Sequence, residues 1–316
     1  MIWKTDDPLP NECGLIQGLP DDLYHKLPGA SKSRLWTMRN WTPRRMRHEM
    51  GTPRVATDAM ALGAAIHDAV LLPDVFASRY AQAGQCAAVL KSGPNKGARC
   101  KHSGAGRYGG EWFCGTHTDP NIAAYPDPVT ALKPDEWDAC VGIRDAALHH
   151  SRARYLLEAE RKELTALWTD VDSGVRCKGR LDVLSDDDTV ITDVKSARSA
   201  AVEPFTRDIY GLGYFAQGAH YRAGARACGA EAEYFVIIAA EKEPPFDLAV
   251  YEVKGEALDA GDAELRPLLR QWARCEAKET WPGYPEAVTE VTLPPWAWVQ
   301  SRERVARLET QEEVEV

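Results

Sequence analysis

Residues 177–198 read CKGRLDVLSDDDTVITDVKSAR, and this stretch decides the fold class. Two runs rich in Val, Ile and Leu, residues 175–184 and 189–194, flank the acidic turn Ser185-Asp186-Asp187-Asp188. Short apolar runs on either side of a polar turn are typical of a β-hairpin. The stretch therefore predicts two neighbouring antiparallel strands.

Three charged side chains of this hairpin are expected to converge. Asp193 and Lys195 flank Val194 on the second strand and point to the same face, because side chains alternate along a strand. The turn brings Asp182 of the first strand beside them. Such charges are costly within core strands unless a metal or substrate uses them. The pattern indicates a magnesium site with a lysine that orients water; the alternative is an ordinary ion pair on a surface hairpin.

A helix predicted over residues 214–228 adds two polar side chains. Gln217 and Tyr221 are four residues apart and share one helix face. An amide and a phenol at this position can both meet a phosphate or the catalytic lysine. We therefore include both in the predicted active site.

The segments around the hairpin alternate between helical and strand-like patterns. Ser31 is a predicted N-cap of a helix that ends near Thr42-Pro43. The other segments are a helix from Thr57 to Pro73, a largely helical stretch ending strand-like over 137–168, strands at 232–240 and 246–253, and a helix over 256–278. This order predicts an α/β core with a central mixed sheet flanked by helices.

The chain has 316 residues, of which 44% are hydrophobic and 27% are charged. This balance fits a globular protein with one large domain, or one domain with an insert. No apolar run approaches the ~20 residues of a membrane span, and the N-terminus MIWKTDDPLPNE lacks the order of a secretory signal. We expect a cytoplasmic protein with no membrane partner.

A basic segment lies near the start of a chain whose net charge is -9. Residues 32–54 hold seven Lys or Arg and one acid, with Trp36 and Trp41 interleaved. The cations predicted to bind DNA phosphates are Lys32, Arg34, Arg39, Arg44 and Arg45. The alternative is a solvated amphipathic helix whose tryptophans enter the core. At the other end, residues 309–316 hold four acids and no base, and we expect this tail to be disordered.

Residues 82–119 interrupt the pattern and are interpreted as an insert. Cys86, Cys100, Cys114 and His117 follow the spacing C-x13-C-x13-C-x2-H, with five Lys or Arg and one acid among them. Thiolates and an imidazole suit tetrahedral zinc, which would stabilise a segment with so few apolar residues. Free buried cysteines are the alternative, and His102 could replace one ligand.

The predicted zinc either stabilises the insert or helps the insert to bind DNA. Four protein ligands leave no open position for catalysis, and the net charge of +4 over residues 86–117 attracts phosphate. An iron–sulfur cluster is the rival cofactor. Zinc is preferred because only Cys228 and Cys275 follow the start of the helix that carries Gln217 and Tyr221.

Taken together, the motifs resemble the RecB-like branch of the PD-(D/E)xK nucleases. The motifs that carry the likeness are G-R-L-D ending at Asp182, D-V-K ending at Lys195, Q-x-x-x-Y from Gln217, and A-L-G-A-A-I-H ending at His67. YHKLPGASKSRLW and KELTALWTDVDSGVRCKGRLDVL further resemble the RecE-type (exodeoxyribonuclease VIII) exonucleases of phages and prophages. The likeness spans most of residues 24–80 and 130–255, and the cysteine insert is its main departure.

The resemblance implies a restriction-endonuclease-like core and assigns roles to single residues. Asp182, Asp193, His67 and the Val194 carbonyl would bind Mg²⁺ or Mn²⁺, and Lys195 would activate the attacking water. Glu163 is placed as the motif acid, with Glu158 and Glu160 as competitors. For His67, a histidine satisfied by packing on the sheet is the alternative.

For function, the resemblance implies a metal-dependent exonuclease that digests linear duplex DNA from 5' ends in phage-type recombination. The implied partners are double-stranded DNA ends, a single-strand annealing protein and further copies of the chain in a ring, inside a bacterial host. A structure-specific or restriction-like endonuclease and an inactive DNA-binding fold are the alternatives. The expected layout is residues 1–81 as the first part of the nuclease domain, 82–119 as the insert, 120–300 as the nuclease core and 301–316 as the acidic tail.

Overall fold

The computed structural model describes residues 1–4, 7–52, 57–118 and 129–314. The basic segment's upper boundary at Arg54 and the insert's boundary at Asp119 lie outside the described residues. Two compact units are present, Met1–Trp281 and Pro282–Val316. The first unit contains every predicted site residue.

The central sheet has the strand order β1-β6-β7-β8-β9-β10. Its strands are β1 Gly14–Ile16, β6 Arg161–Thr169, β7 Arg176–Leu184, β8 Val190–Ala197, β9 Tyr234–Glu241 and β10 Leu248–Val253. All neighbours pair antiparallel except β8 and β9, which are parallel. This mixed sheet flanked by helices confirms the predicted α/β fold class.

Helices cover both sides of the sheet in the described part of the chain. They are α1 Asp21–Lys26, α2 Lys32–Asn40, α3 Pro43–Gly51, α4 Asp58–Leu71, α5 Pro73–Arg79, α6 Pro134–His149, α7 Ser151–Leu157, α8 Val202–Gly211, α9 Tyr214–Ala227 and α10 Gly255–Ala277. One hydrophobic cluster joins α2, α3, α8, α9 and α10 to the sheet. A second cluster joins α4, α5, α6 and α7 to the sheet. Alternation along β9 explains this division, because Ile237 belongs to the first cluster and Ile238 to the second.

Two helix starts follow from local chemistry, as predicted. The Ser31 side chain accepts a hydrogen bond from the Arg34 N–H, and the Thr57 side chain accepts one from the Met60 N–H. Each satisfies a donor that the first helical turn leaves without a partner. Helices α2 and α4 therefore begin where the sequence predicts.

The segment between α5 and α6 contains two short strand pairs and two isolated β-bridges among its described residues. Strand β2 (Tyr80–Gln82) pairs with β5 (Thr130–Leu132), and β3 (Gly106–Tyr108) pairs with β4 (Glu111–Phe113). The insert thus leaves and re-enters the main unit through two adjacent parallel strands.

The C-terminal unit contains helix α11, Pro295–Val314. Disorder from residue 309 was a wrong prediction, because the helix continues to Val314. A helical run of Arg, Glu, Gln and Leu residues explains this, since these residues have good helix propensity despite their charge. Among the described residues, no helix combines the length and apolar character that crossing a bilayer requires.

Candidate active site

The predicted catalytic residues lie where strands β7 and β8 separate. The ladder between these strands ends with Val183 opposite Thr192. Beyond that pair, a carboxylate substitutes for a backbone partner: Asp182 Oδ2 accepts a hydrogen bond from the Val194 N–H at 2.7 Å. We call the point where β7 and β8 separate, beside Asp182 and Asp193, the fork. Val194 and Val183 are both buried, so the fork lies within the core and not at an exposed edge of the sheet.

Asp193 and Lys195 form an ion pair within this fork. Lys195 Nζ lies 2.5 Å from Asp193 Oδ2, as the alternation of side chains predicts. On its other oxygen, Asp193 Oδ1 accepts a hydrogen bond from Gln217 Nε2 at 2.7 Å. Burial raises the pKa of Asp193 to about 6, and Asp182 adds to this shift while Lys195 opposes it.

Lys195 keeps its charge in this buried setting. Burial by itself lowers the pKa of Lys195, but attraction to Asp193 and Asp182 outweighs burial, so its pKa is raised. The ammonium also lies 5.0 Å from the centroid of the Tyr214 ring, which favours a cation. The side chain is thus held in one position as an ammonium.

Asp182 also belongs to a second group of side chains, which could bind a metal. His67 on α4, Glu163 on β6 and Asp182 on β7 each offer one ligand atom, and these atoms all lie within 4.8 Å of one another. His67 Nδ1 and Asp182 Oδ2 are 3.6 Å apart. Two carboxylates and an imidazole fit a divalent cation such as Mg²⁺ or Mn²⁺. Asp193 lies next to this group and is oriented by Lys195 and Gln217.

Glu163 is the acid that the fold brings to the site. It faces Asp182 across β6 and β7, whereas Glu158 follows the end of α7 and neither Glu158 nor Glu160 joins the group of ligands. Its backbone has φ of 51°, a left-handed conformation that is rare for this residue type and that clusters at functional sites. Burial and the nearby Asp182 raise the pKa of Glu163 to about 7.

Two residues that the sequence reasoning missed also contact the site. Arg180 Nε lies 3.5 Å from a Glu163 oxygen, and Tyr214 underlies Lys195. Arg180 is two positions from Asp182 and Tyr214 is three from Gln217, so strand and helix periodicity were the signals that could have identified them. Both restrain charged groups of the centre.

Helix α9 positions Gln217 and Tyr221 differently. Its N-cap Gly213 has φ of 69° and packs so closely on Trp36 that a Cβ would lie 2.3 Å from the indole, which requires glycine. Gln217 reaches Asp193, whereas Tyr221 packs against Phe235. Burial raises the pKa of Tyr221 well above its ordinary value, so its phenol stays neutral.

A polar cavity of about 130 Å³ opens beside Gln217. Its lining residues are Tyr24, Ser31, Lys32, Ser33, Lys178, Gly179, Gln217 and Tyr221. Lys178 is committed to structure there, because its ammonium donates to the carbonyls of Tyr24, His25 and Leu27 at the end of α1. Burial and then Lys195 lower the pKa of Lys32 to about 8, and its ammonium donates to the Leu212 carbonyl at 2.6 Å.

The five predicted DNA-binding cations divide into different environments. Lys32 lines the cavity that also contains Gln217. Arg34 donates to the Gly29 carbonyl at 2.5 Å, and Arg39 pairs with Glu264 at 2.7 Å. Arg45 pairs with Glu49 at 2.9 Å and lies over the Trp41 ring, and Arg44 is exposed. Trp36 enters the core as the alternative interpretation expected, whereas Trp41 is 52% exposed.

The insert brings Cys86, Cys100, Cys114 and His117 together, with one ligand atom of each within 4.8 Å of the others. Cys114 Sγ lies 3.3 Å from His117 Nδ1 and 4.0 Å from Cys100 Sγ, and Cys86 Sγ lies 3.8 Å from His117 Nδ1. A tetrahedron with zinc bonds of ~2.0–2.3 Å has edges of about 3.5–3.8 Å. The four donors therefore fit zinc, and His102 is not one of them.

Cys114 is prepared for metal binding by its backbone environment. Burial alone would raise its pKa, but hydrogen bonds from the backbone of Thr116 and His117, and from the Cys86 side chain, lower the pKa to about 6. A thiolate at neutral pH is the form that ligates zinc. The remaining cysteines Cys13, Cys140, Cys177, Cys228 and Cys275 are outside this cluster and form no disulfides.

The fold and the carboxylate–lysine fork define the class of protein. A family model described as "PDDEXK-like domain of unknown function (DUF3799)" matches residues 43–293. The chain belongs to this family, and so to the PD-(D/E)xK superfamily. The matched range includes the active-site candidates from His67 to Gln217 and the whole insert.

Comparison with solved structures gives the same fold. A crystal structure of a protein from Eubacterium rectale, named "Putative exonuclease", superposes with a TM-score of 0.50 and 13% sequence identity, covering 84% of this chain and 89% of that one. Identity at this level indicates a shared fold alone. No curated protein matches the chain.

Proposed function

We propose that the protein is a magnesium- or manganese-dependent exonuclease that digests linear double-stranded DNA, from 5' to 3', in phage-type homologous recombination. The observation that carries this proposal is the convergence of His67, Glu163 and Asp182 beside the buried Asp193–Lys195 pair. A charged cluster of this kind within a core costs stability and so indicates use in chemistry. The exonuclease activity and its polarity rest on the RecE resemblance.

In this proposal His67, Glu163 and Asp182, joined by Asp193 and the Val194 carbonyl, would hold the divalent cation. When bound, that cation neutralises phosphate charge and lowers the pKa of the attacking water. Lys195 orients the water and stabilises the charge that develops on the phosphate as the bond from phosphorus to the 3' oxygen breaks. Gln217 holds Asp193, and Tyr214 supports the ammonium of Lys195.

The proposal extends to cofactor, partners and location. Zinc bound by Cys86, Cys100, Cys114 and His117 stabilises the insert. Its role is not catalytic, because four protein ligands leave no position for substrate. Duplex DNA ends are the substrate, a single-strand annealing protein receives the 3' overhang, and the chain forms a homo-oligomer. The site of action is the cytoplasm of a bacterial host of the phage.

The test compares linear and closed circular duplex DNA, each labelled, with magnesium and with EDTA. The wild type is expected to degrade only the linear DNA and only with magnesium, and Lys195→Ala is expected to be inactive. Label released from the 5' end before the 3' end supports the polarity. Cutting of the circle would establish an endonuclease instead, and no cutting of either substrate would refute the nuclease proposal.

A further inference from the structure

Within the insert, residues 86–102 form a β-hairpin that carries two of the four zinc-site ligands; we call it the zinc hairpin. Its two arms are joined by backbone hydrogen bonds, among them the Cys100 N–H to the Ala88 carbonyl at 2.8 Å. Its tip is residues 91–97, which project beyond the ligands. The metal cluster therefore fixes the base of the hairpin and leaves the tip in solvent.

The tip has a defined turn and is not a loose loop. Gly93 and Gly97 adopt φ of 84° and 87°, and the Lys96 N–H donates to the Gly93 carbonyl at 3.1 Å. Below the tip, the Arg99 guanidinium donates to the carbonyls of Cys86 and Gln85 at 2.9 and 3.0 Å. These bonds hold the backbone on either side of Lys91 and Lys96 in a defined turn.

The charge of the zinc hairpin is opposite to that of the rest of the chain. Residues 86–102 carry +4 in a chain of net charge -9, so the remaining residues carry -13. Lys91, Lys96 and Lys101 are exposed, and among the described residues none of the three has an acidic partner. Three unpaired cations concentrated in this way, on an otherwise acidic protein, favour a polyanionic ligand.

The hairpin is attached to the same core as the catalytic strands. Strands β2 and β5, which bracket the insert, contribute Tyr80 and Leu132 to the hydrophobic cluster that also contains Val183 and Val194. Val194 lies between Asp193 and Lys195. The strands that bracket the insert are therefore packed on the core that also holds β7 and β8.

We infer that the tip of the zinc hairpin, through Lys91 and Lys96 with Lys101 at its base, binds the phosphate backbone of duplex DNA outside the catalytic fork. This inference rests on the proposed function and specifies how the substrate is held. Lysine ammonium groups contact phosphates as point charges without reading the bases. The binding is therefore independent of sequence and depends strongly on salt.

The test measures binding of a fluorescent 30-base-pair duplex (about three helical turns) by anisotropy across a salt series, in an Asp193→Asn background that does not cut. The paired variant Lys91→Glu/Lys96→Glu is compared with Lys4→Glu/Lys278→Glu, which changes charge equally at exposed lysines outside the insert. Zinc content and circular dichroism confirm that both variants remain folded.

The tip variant is expected to bind about tenfold more weakly at moderate salt, and its plot of log affinity against log salt is expected to be shallower by about 2. The control variant should stay within about twofold of its parent. Unchanged binding by the tip variant, equal weakening in both variants, or weakening toward single strands but not the duplex would overturn the inference while leaving a nuclease intact. If the wild type does not cut DNA, in contrast, the proposed function itself is refuted.

Discussion

Among the described residues, two clusters of side chains could hold a metal ion, and they are built in opposite ways. At the fork, His67, Glu163 and Asp182 lie against a large hydrophobic core that exists without them. In the insert, the buried cluster consists of Cys86, Cys100 and Cys114, and the described hydrophobic residues packed beside them are Ala88, Leu90 and Phe113.

This difference teaches what each metal contributes. At the fork the core supplies the stability and the packed carboxylates repel one another, so we expect a metal bound there to serve chemistry. In the insert the apolar surface is too small to fold the segment, so we expect a metal bound there to supply the folding free energy. Removing ligands should therefore abolish activity in one region and structure in the other.

The largest effect is expected from Asp193→Asn. This change removes a charge that orients Lys195 while keeping the shape that accepts the Gln217 hydrogen bond, so cleavage should fall by about 10²–10³-fold or more. The melting temperature should fall, because the buried Lys195 ammonium loses the carboxylate that offsets its burial, and relief of the repulsion between Asp193 and Asp182 compensates only in part. Steady-state cleavage of linear duplex and thermal melting measure the two. Substantial activity in this variant would remove Asp193 from the site.

Cys114→Ser is expected to affect structure and not catalysis. Loss of one thiolate should release zinc and unfold residues 86–117 locally, because the segment has little other stabilisation. Elemental analysis and hydrogen exchange report the two changes. Cys275→Ser, a buried cysteine outside the cluster, is the matched control and should retain the metal. Equal zinc content in both variants would contradict the assignment.

A smaller effect distinguishes the acids near the fork. Glu163→Gln should weaken magnesium activation at least about tenfold, since even groups that only orient metal ligands are worth 10–100-fold. Glu160→Gln is the control, because Glu160 is outside the ligand group. The magnesium concentration for half-maximal cleavage is the measurement. The same shift in both variants would leave the motif acid unidentified and refute the geometric assignment.

The smallest effect concerns pH and the metal-free protein. Glu163 and Asp193 have pKa values raised to about 7 and about 6, so the folded state binds protons that the unfolded chain releases. Stability is therefore greatest below the unfolded pKa values and is lost as pH rises through about 6 to 7. With EDTA, melting temperature should fall between pH 5.5 and 8.

The same experiment with magnesium and with Glu163→Gln isolates the cause. A bound cation favours the ionised carboxylates, so magnesium should reduce the fall in melting temperature, and Glu163→Gln should reduce it in EDTA. An identical pH dependence in all three samples would show that other groups determine it. Because EDTA also removes zinc from the insert, the comparison that isolates the fork is the wild type against Glu163→Gln, both in EDTA, where the insert contributes equally to the two samples.

Much of the fold and part of the site follow from local sequence patterns. Hydroxyl caps at Ser31 and Thr57 begin helices in the structure, and the acidic turn after Leu184 joins two strands as predicted. These features depend on neighbours within a few residues of one another. By the same reasoning Asp193 and Lys195 were expected to share a face, and they do.

Other parts of the site depend on contacts between distant segments. Glu158, Glu160 and Glu163 are the same residue type within six positions, so the sequence does not distinguish them as candidates for the motif acid. Only the pairing of β6 with β7 brings Glu163 to Asp182. Lys32 is one of seven cations in its segment, yet it alone among the five predicted DNA-binding residues adjoins the fork. Periodicity reports the face on which a side chain lies but not which distant element covers that face.

The sequence by itself therefore determined the fold class, the Asp182, Asp193 and Lys195 constellation, and the spacing of the four cysteine and histidine ligands. Tertiary structure alone decided which glutamate completes the cluster, that Arg180 and Tyr214 restrain it, and that the β7–β8 ladder opens at the carboxylates. The physical reason is that alternation and capping arise from local backbone geometry. Convergence across the sheet arises only when separate segments bury their apolar faces together.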